Sequence, residues 1–289
     1  MNRVDLHTHS TCSDGTLSPA ALVKAAADGG LRIVALTDHD TVSGVAEALA
    51  AAERLNAQSP GLITVIPGVE ISADHDNVLH ILGYFTPGGC TRIGPFLDEM
   101  KNERHIRNLR VIGKLNGMGI RITAGEVAAL AGREVFGRPH IAAVLIQKGV
   151  VASIPSAFNE YLSRGRKAYV KKSSRPAEDC VAAIAGAGGL PVIAHPSQTG
   201  LRLSELTELA SGLIKHGLFG IEAYYSDHTP AETQNYVNLA GELGLSVTGG
   251  SDFHGETKKS IKLGSGKNGG LNVPDGAADA VINALKNID

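Results

Sequence analysis

Near the N-terminus, Asp5-Leu6-His7-Thr8-His9 sets two histidines one residue apart at the end of a short apolar run. Side chains two apart share one face of a strand, so both imidazoles can address a single metal ion. In a chain with eleven histidines such a pair carries little weight alone. It gains weight because the pattern recurs. Thr37-Asp38-His39-Asp40, Val69-Glu70, Leu79-His80, Ala194-His195-Pro196 and Ser251-Asp252-Phe253-His254 each follow or end a short apolar run. Six strand-like segments thus deliver imidazole or carboxylate donors. Nitrogen and oxygen ligands are plentiful, so Cys12, close to the first pair, is not needed as one.

Donors so far apart in sequence converge if their strands form a ring of parallel strands whose C-terminal ends meet at one mouth. The pattern between them fits. Ser18-Pro19, an alanine-rich stretch and then Gly29-Gly30 supply an N-cap, a proline for the first turn and a glycine stop, which predicts a helix. A strand at Leu31–Thr37 follows directly, then a helix over about Ser43–Leu55 and a strand at Leu62–Pro67. Later strands are expected at Leu190–Ala194, Phe219–Ala223 and Leu245–Thr248. Repeated βα units of this length predict an α/β barrel.

The chain has 289 residues, enough for a barrel of about 250 residues with an inserted piece. No apolar run approaches the roughly 20 residues that cross a bilayer, and a candidate ligand at position 7 leaves no room for a cleaved leader. Three scattered cysteines, Cys12, Cys90 and Cys180, form neither a CxxC site nor a disulfide framework. A cytoplasmic enzyme is expected, with no obligate protein partner.

Net charge is −2, but from Lys101 to Arg175 fifteen basic residues face four acidic ones, a balance of +11, leaving −13 for the rest. A basic middle section in an acidic body points to a polyanionic substrate docking on an insert beside the ligands. The alternative is a solvated basic surface. The expected division is barrel over 1–90 and 180–289, and a mainly helical insert over 91–179. Within it Lys101, Arg104, Arg107 and Arg110 recur every three residues on a helix expected to begin near Pro95. Steps of three drift by about 60° each, so two or three neighbours, not all four, can face one pocket. Gly137-Arg138-Pro139-His140 joins a guanidinium fork to an imidazole, both suited to phosphate oxygens. Arg104, Arg107, Arg138 and His140 are therefore the candidate substrate-binding residues. Arg164, Arg166 and Lys167, between Tyr161 and Tyr169, are placed to border a nucleotide or simply to pack. His228 follows the strand that holds Glu222 and is a further residue that could reach the mouth.

The ordered set His7-Thr8-His9, Asp14, Thr37-Asp38-His39, Glu70, His80, His195-Pro196 and Asp252-Phe253-His254 resembles the polymerase and histidinol phosphatase (PHP) family of the amidohydrolase superfamily. The resemblance spans residues 5 to about 255. It implies a distorted (β/α)7 TIM-like barrel holding two or three divalent ions at the strand ends. By position, His7, His9, Glu70 and Asp252 match the first ion's ligands. Glu70 bridges to a second ion held with His80 and His195, while Asp14, His39 and His254 match a third site. Several family members have histidine where this chain has Asp14. Aspartate is also a hard ligand, so the third site would keep its capacity with altered metal preference.

The chemistry implied is phosphoester hydrolysis by a metal-bound hydroxide held by Glu70, Asp252 and His254, because metal binding lowers the pKa of water to near neutrality. No serine or cysteine nucleophile is needed, and Gly264-Ser265-Gly266-Lys267 lacks the spacing of a P-loop. Mixed imidazole and carboxylate ligation without thiolate leans toward Mn2+, with Zn2+, Fe2+, Co2+ or Mg2+ also compatible. The form Ser13-Asp14-Gly15-Thr16 and the insert with Gly137-Arg138-Pro139-His140 most resemble the bacterial branch acting on nucleotide phosphates. The leading expectation is removal of the 3'-phosphate from adenosine 3',5'-bisphosphate to leave AMP. The rivals are 5'-3' exonuclease action on short 5'-phosphorylated RNA, histidinol phosphate hydrolysis, and a non-catalytic metal-binding docking module. A nucleotide or short oligonucleotide is the expected ligand. No motif for long duplex nucleic acid is present.

Overall fold

The computed structural model describes residues 3–131, 137–171 and 175–288. The chain forms two compact units, Met1–Phe96 with Arg175–Asp289, and Leu97–Ser174.

In the first unit, among the described residues, seven strands form one sheet in sequence order: β1 (Val4–Thr8), β2 (Ile33–Leu36), β3 (Thr64–Ser72), β4 (His80–Tyr84), β5 (Leu190–Ile193), β6 (Gly220–Tyr225) and β7 (Ser246–Gly250). The sheet is nearly closed into a barrel. β1 meets the chain beyond β7, where the Asp252 amide donates to the His7 carbonyl and the His9 amide to the Phe253 carbonyl, both at 2.9 Å. Gly250 is required there, since a Cβ on it would overlap the Cβ of His7.

The expectation of an all-parallel ring needs correction. β4 runs antiparallel to both β3 and β5. Only residues 73–79 separate β3 from β4, too few for a helical crossover, so the chain reverses. His80 consequently opens β4 rather than ending a strand, opposite Ser72 at the end of β3. Glu70 likewise lies inside β3, which continues past Pro67 to Ser72.

Helices α1 (Pro19–Asp28) and α2 (Val45–Gln58) cover β2 and β3. Ser18 caps α1, its side chain accepting from the Ala21 amide, with Pro19 in the first turn. Leu22, Val23 and Ala26 of α1 pack with Ala48, Ala51 and Ala52 of α2 against Val34, Leu36 and Val65. A second cluster joins Val4, Leu6, Ala35, Ile66, Leu82 and Val192 to Ala277, Ala278, Val281 and Leu285 of the last helix (Asp275–Lys286).

Helix α3 (Pro87–Gly117) begins at Pro87, not near Pro95, which lies inside it. Its N-terminal part is seated by buried Cys90 and Ile93, and by Arg92 donating to the Ala187 carbonyl at 2.8 Å. The unit boundary falls within this helix. The second unit, Leu97–Ser174, is therefore narrower than 91–179. It also holds α4 (Ala124–Ala131) and α5 (Arg138–Gln147) around a core that includes Val111, Leu115, Val127, Ile141, Leu145 and Leu162. Among the described residues, no helix is long and apolar enough to cross a membrane.

Candidate metal centre

The barrel gathers eight donor residues around a ninth, Glu70, which is fully buried. Its two oxygens face different partners. Oε2 lies 3.3 Å from His7 Nε2, 3.2 Å from His9 Nε2 and 3.0 Å from His39 Nδ1. Oε1 lies 2.7 Å from His80 Nδ1 and 2.8 Å from His195 Nε2. Asp252 Oδ1 closes the first group at 3.2 Å from His9 Nε2 and 3.6 Å from His7 Nε2. Asp14 Oδ1 lies 3.2 Å from His254 Nε2 and 3.8 Å from His9 Nδ1, and its Oδ2 is 3.8 Å from His39 Nε2.

Three overlapping donor sets result: His7, His9, Glu70 and Asp252; His39, Glu70 and His80; and His9, Asp14, His39 and His254. All nine residues singled out in the sequence come together. His39 stands in two sets, whereas His195 reaches only Glu70 Oε1 and joins none of the three.

The donors suit a cation. His7 Nε2, His9 Nε2, His39 Nδ1 and Glu70 Oε2 are buried and lack a hydrogen bond of acceptable geometry, although they lie about each other at short range. Buried polar atoms grouped in this way are costly unless protons or a cation sit among them. Burial alone would raise the Glu70 and Asp252 carboxyls. For Glu70 the imidazoles of His39, His80 and His7 outweigh it, and for Asp252 those of His7 and His9, so both are held well below the usual range. Burial lowers His39, but Glu70 and Asp14 together lift it to about 9. Burial also lowers His80, and Glu70 does not make up the difference.

Supporting residues that sequence reasoning missed surround these ligands. Asp38 accepts from the Ser10 amide at 2.7 Å and from the hydroxyls of Ser10 and Ser13 at 2.6 Å each, fixing the loop that carries Asp14. Asp5 accepts from the amides of Ser251 and Gly264 at 2.8 Å and from the Ser251 hydroxyl, holding the segment that carries Asp252. Lys258 Nζ lies 2.6 Å from Asp252 Oδ2, to which the Tyr225 hydroxyl also donates at 3.0 Å. Glu222 accepts from His7 Nδ1 at 3.0 Å. The available signal was a charged or phenolic side chain near the end of an apolar run, as for Glu70, but nothing local told supporter from ligand. Asp252 (φ 58°) and His195 (φ 24°) occupy the left-handed region, strained backbone of the kind that concentrates at functional sites.

His228 is not among the donor sets. Its Nδ1 donates to the Ala223 carbonyl at 2.9 Å, and its ring packs between Tyr225 and Tyr236.

The second unit gathers cations instead. Arg107 is buried, donates through Nε to the Val170 carbonyl at 3.1 Å, and leaves Nη2 without a partner. Burial and the neighbouring Arg138 and Arg104 guanidiniums lower it to about 10. Arg138 donates to the Leu162 carbonyl at 3.1 Å and lies over the Phe158 ring. His140 Nδ1 accepts from the Gly137 amide at 3.1 Å, closing the first turn of α5. Lys167 sits over the Tyr161 ring.

Residues 5–189 match the family model described as PHP domain. A 5'-3' exoribonuclease of Haemophilus influenzae is 34% identical over 253 residues, covering 87% of this chain and 90% of that protein. A 3',5'-nucleoside bisphosphate phosphatase of Chromobacterium violaceum is 32% identical over 256 residues, covering 88% of each. Among solved structures, a Bifidobacterium adolescentis protein assigned as a metal-dependent phosphoesterase superposes with a TM-score of 0.74 at 31% identity, covering 97% of this chain and 95% of that one.

Proposed function

Because the chain belongs to the PHP domain family, we propose that this metal-dependent phosphoesterase removes the 3'-phosphate from nucleoside 3',5'-bisphosphates, leaving the 5'-monophosphate. The observation that carries the reading is Glu70, whose two oxygens face separate imidazole groups, as a carboxylate shared by two cations would. His7, His9 and Asp252 would hold one ion with Glu70, His80 and His195 the next, and Asp14, His39 and His254 a third. Manganese is the ion we assign. Such ions, when bound, supply a nucleophile from water near neutral pH and offset the charge that gathers on a phosphoryl group.

The protein's own groups have definable tasks. Glu70 keeps the two imidazole sets in one frame. Asp14, lowered by its bond to His254 and by His39 against the effect of burial, stays ionised. The Asp252 carbonyl, 2.8 Å from His254 Nδ1, fixes the proton there and leaves Nε2 as a lone-pair donor. In the insert, Arg104, Arg107, Arg138 and His140 are proposed to hold the substrate's 5'-phosphate. Crowded guanidiniums with an unpartnered buried nitrogen favour an anion of that kind.

A second reading, 5'-3' cleavage of short 5'-phosphorylated RNA, is favoured by the name of the Haemophilus influenzae relative. The same 5'-phosphate grip would serve it, with a 3',5'-diester in place of the 3'-monoester. Incubating manganese-loaded protein with adenosine 3',5'-bisphosphate separates the two. AMP with free phosphate is the expected outcome. No phosphate release, together with mononucleotides from a 5'-phosphorylated trinucleotide, would replace the first reading with the second.

A further inference from the structure

Strand β6 contributes none of the nine candidate ligands, yet Glu222 and Tyr225 on it both reach them. Residues three apart on a regular strand point to opposite faces. Here the register shifts: Glu222 pairs with Thr248, and Tyr224, two residues on, pairs with Gly249, the next residue of β7. The extra residue is a bulge, a device that re-aims side chains beside active sites.

Glu222 is fully buried, and each of its oxygens has its own task. Oε1 accepts from His7 Nδ1 at 3.0 Å. A carboxylate can only accept, so a proton is held on Nδ1, and His7 Nε2, 3.3 Å from Glu70 Oε2, is the nitrogen left to face a cation. Oε2 accepts from the backbone amide of His195 at 2.7 Å. That bond anchors a non-glycine residue at φ 24°, whose Nε2 lies 2.8 Å from Glu70 Oε1. One carboxylate therefore fixes an imidazole on each side of Glu70.

We propose that Glu222 is a positioning residue that couples the two ion sites meeting at Glu70, by orienting His7 for one and His195 for the other. The proposal rests on the reading that two ions share Glu70. It requires two acceptor ends in one side chain. Methionine at 222 provides none, and glutamine provides one, enough for His7 or for the His195 amide but not both.

The test measures Mn2+ binding to metal-free protein by equilibrium dialysis, with folding checked by circular dichroism. Wild type, Glu222→Met, His7→Ala and the His7→Ala/Glu222→Met double variant are compared. Two or more ions per wild-type chain are expected, with Glu222→Met weakening both tighter sites by about 10- to 100-fold. The deciding comparison is within the His7→Ala background, where Glu222→Met should again weaken the remaining site by about tenfold, through the loss of the His195 anchor. Silence there would show that Glu222 serves His7 alone and would overturn the coupling. A single ion per wild-type chain would instead overturn the shared-carboxylate reading, and the coupling with it. Should Glu222→Met fail to fold, Glu222→Gln, which keeps one acceptor, must weaken at least one of the two tighter sites in the otherwise wild-type protein, and unchanged affinity at both sinks the proposal.

Discussion

The barrel mouth and the insert treat buried charge in opposite ways. At the mouth each carboxylate lies against imidazoles, and Glu70 and Asp252 stay ionised despite burial because those neighbours outweigh it. In the insert, guanidinium lies near guanidinium, and Arg107 is lowered to about 10 by burial together with Arg138 and Arg104. Opposite charges brought together can be preserved without a ligand, although their orphaned atoms call for a cation. Like charges brought together stay costly until an anion arrives. The difference separates a region whose buried atoms call for a cation from one whose buried guanidiniums favour an anion.

The largest test of that contrast is at the mouth. Asp252→Asn keeps the shape but removes the anionic ligand, so kcat should fall on the order of 10³-fold while the circular dichroism spectrum is retained. Near-normal phosphate release would break the assignment of Asp252.

A second test uses pH. His39 is raised from 6.5 to about 9 in the metal-free protein, chiefly by Glu70 working against burial. Its protonated form therefore stabilises the metal-free fold fully below about pH 6.5, and that contribution is lost as pH rises through about 9. An entering cation must displace this proton, so Mn2+ affinity should climb by about tenfold per pH unit toward pH 9 while one proton is released. Calorimetric titration in buffers of different ionisation enthalpy would count the proton. A flat profile would remove His39 from the ligand set.

In the insert, Arg138→Met should raise KM by about 10- to 100-fold with little change in kcat, because a hydrogen bond to a charged group is worth about 1.5–3 kcal/mol. Inorganic phosphate should raise the Tm of wild type and raise that of Arg107→Met less. A fall in kcat with KM unchanged would mean that the cluster acts at the reacting phosphate instead.

The smallest effect tests the frame. Asp5 accepts from Ser251 and Gly264, and replacing it by Asn leaves one of those donors unserved, at a cost of about 1–3 kcal/mol in denaturant unfolding. If metal affinity falls along with stability, the segment carrying Asp252 is held by Asp5. Unchanged affinity would confine Asp5 to the fold.

Much of the site was legible because its ligands are chemically conspicuous and sit at breaks in apolar runs. His7, His9, His39 and Asp252 could be read that way, as could α1 from Ser18, Pro19 and the glycines that end it. His80 was read as a donor, but with the wrong strand direction. The reversal at β4 depends on a short connection and on pairing with β5, more than a hundred residues later in the chain. The start of α3 was misplaced because Pro95 looks like a first-turn proline, while buried contacts of Cys90 and Ile93 extend the helix ahead of it.

By itself the sequence determined which atoms could bind metal, where helices could begin, and that positive charge concentrates between Lys101 and Arg175. These are properties of residue type and short-range spacing. Only the tertiary structure decided that Glu70 would face two imidazole groups, that Glu222 and Tyr225 would both reach ligands, and that Arg107 would lie within electrostatic reach of Arg138. Each of those depends on strand register, a bulge, or packing between elements distant in the chain, and local periodicity carries no information about them.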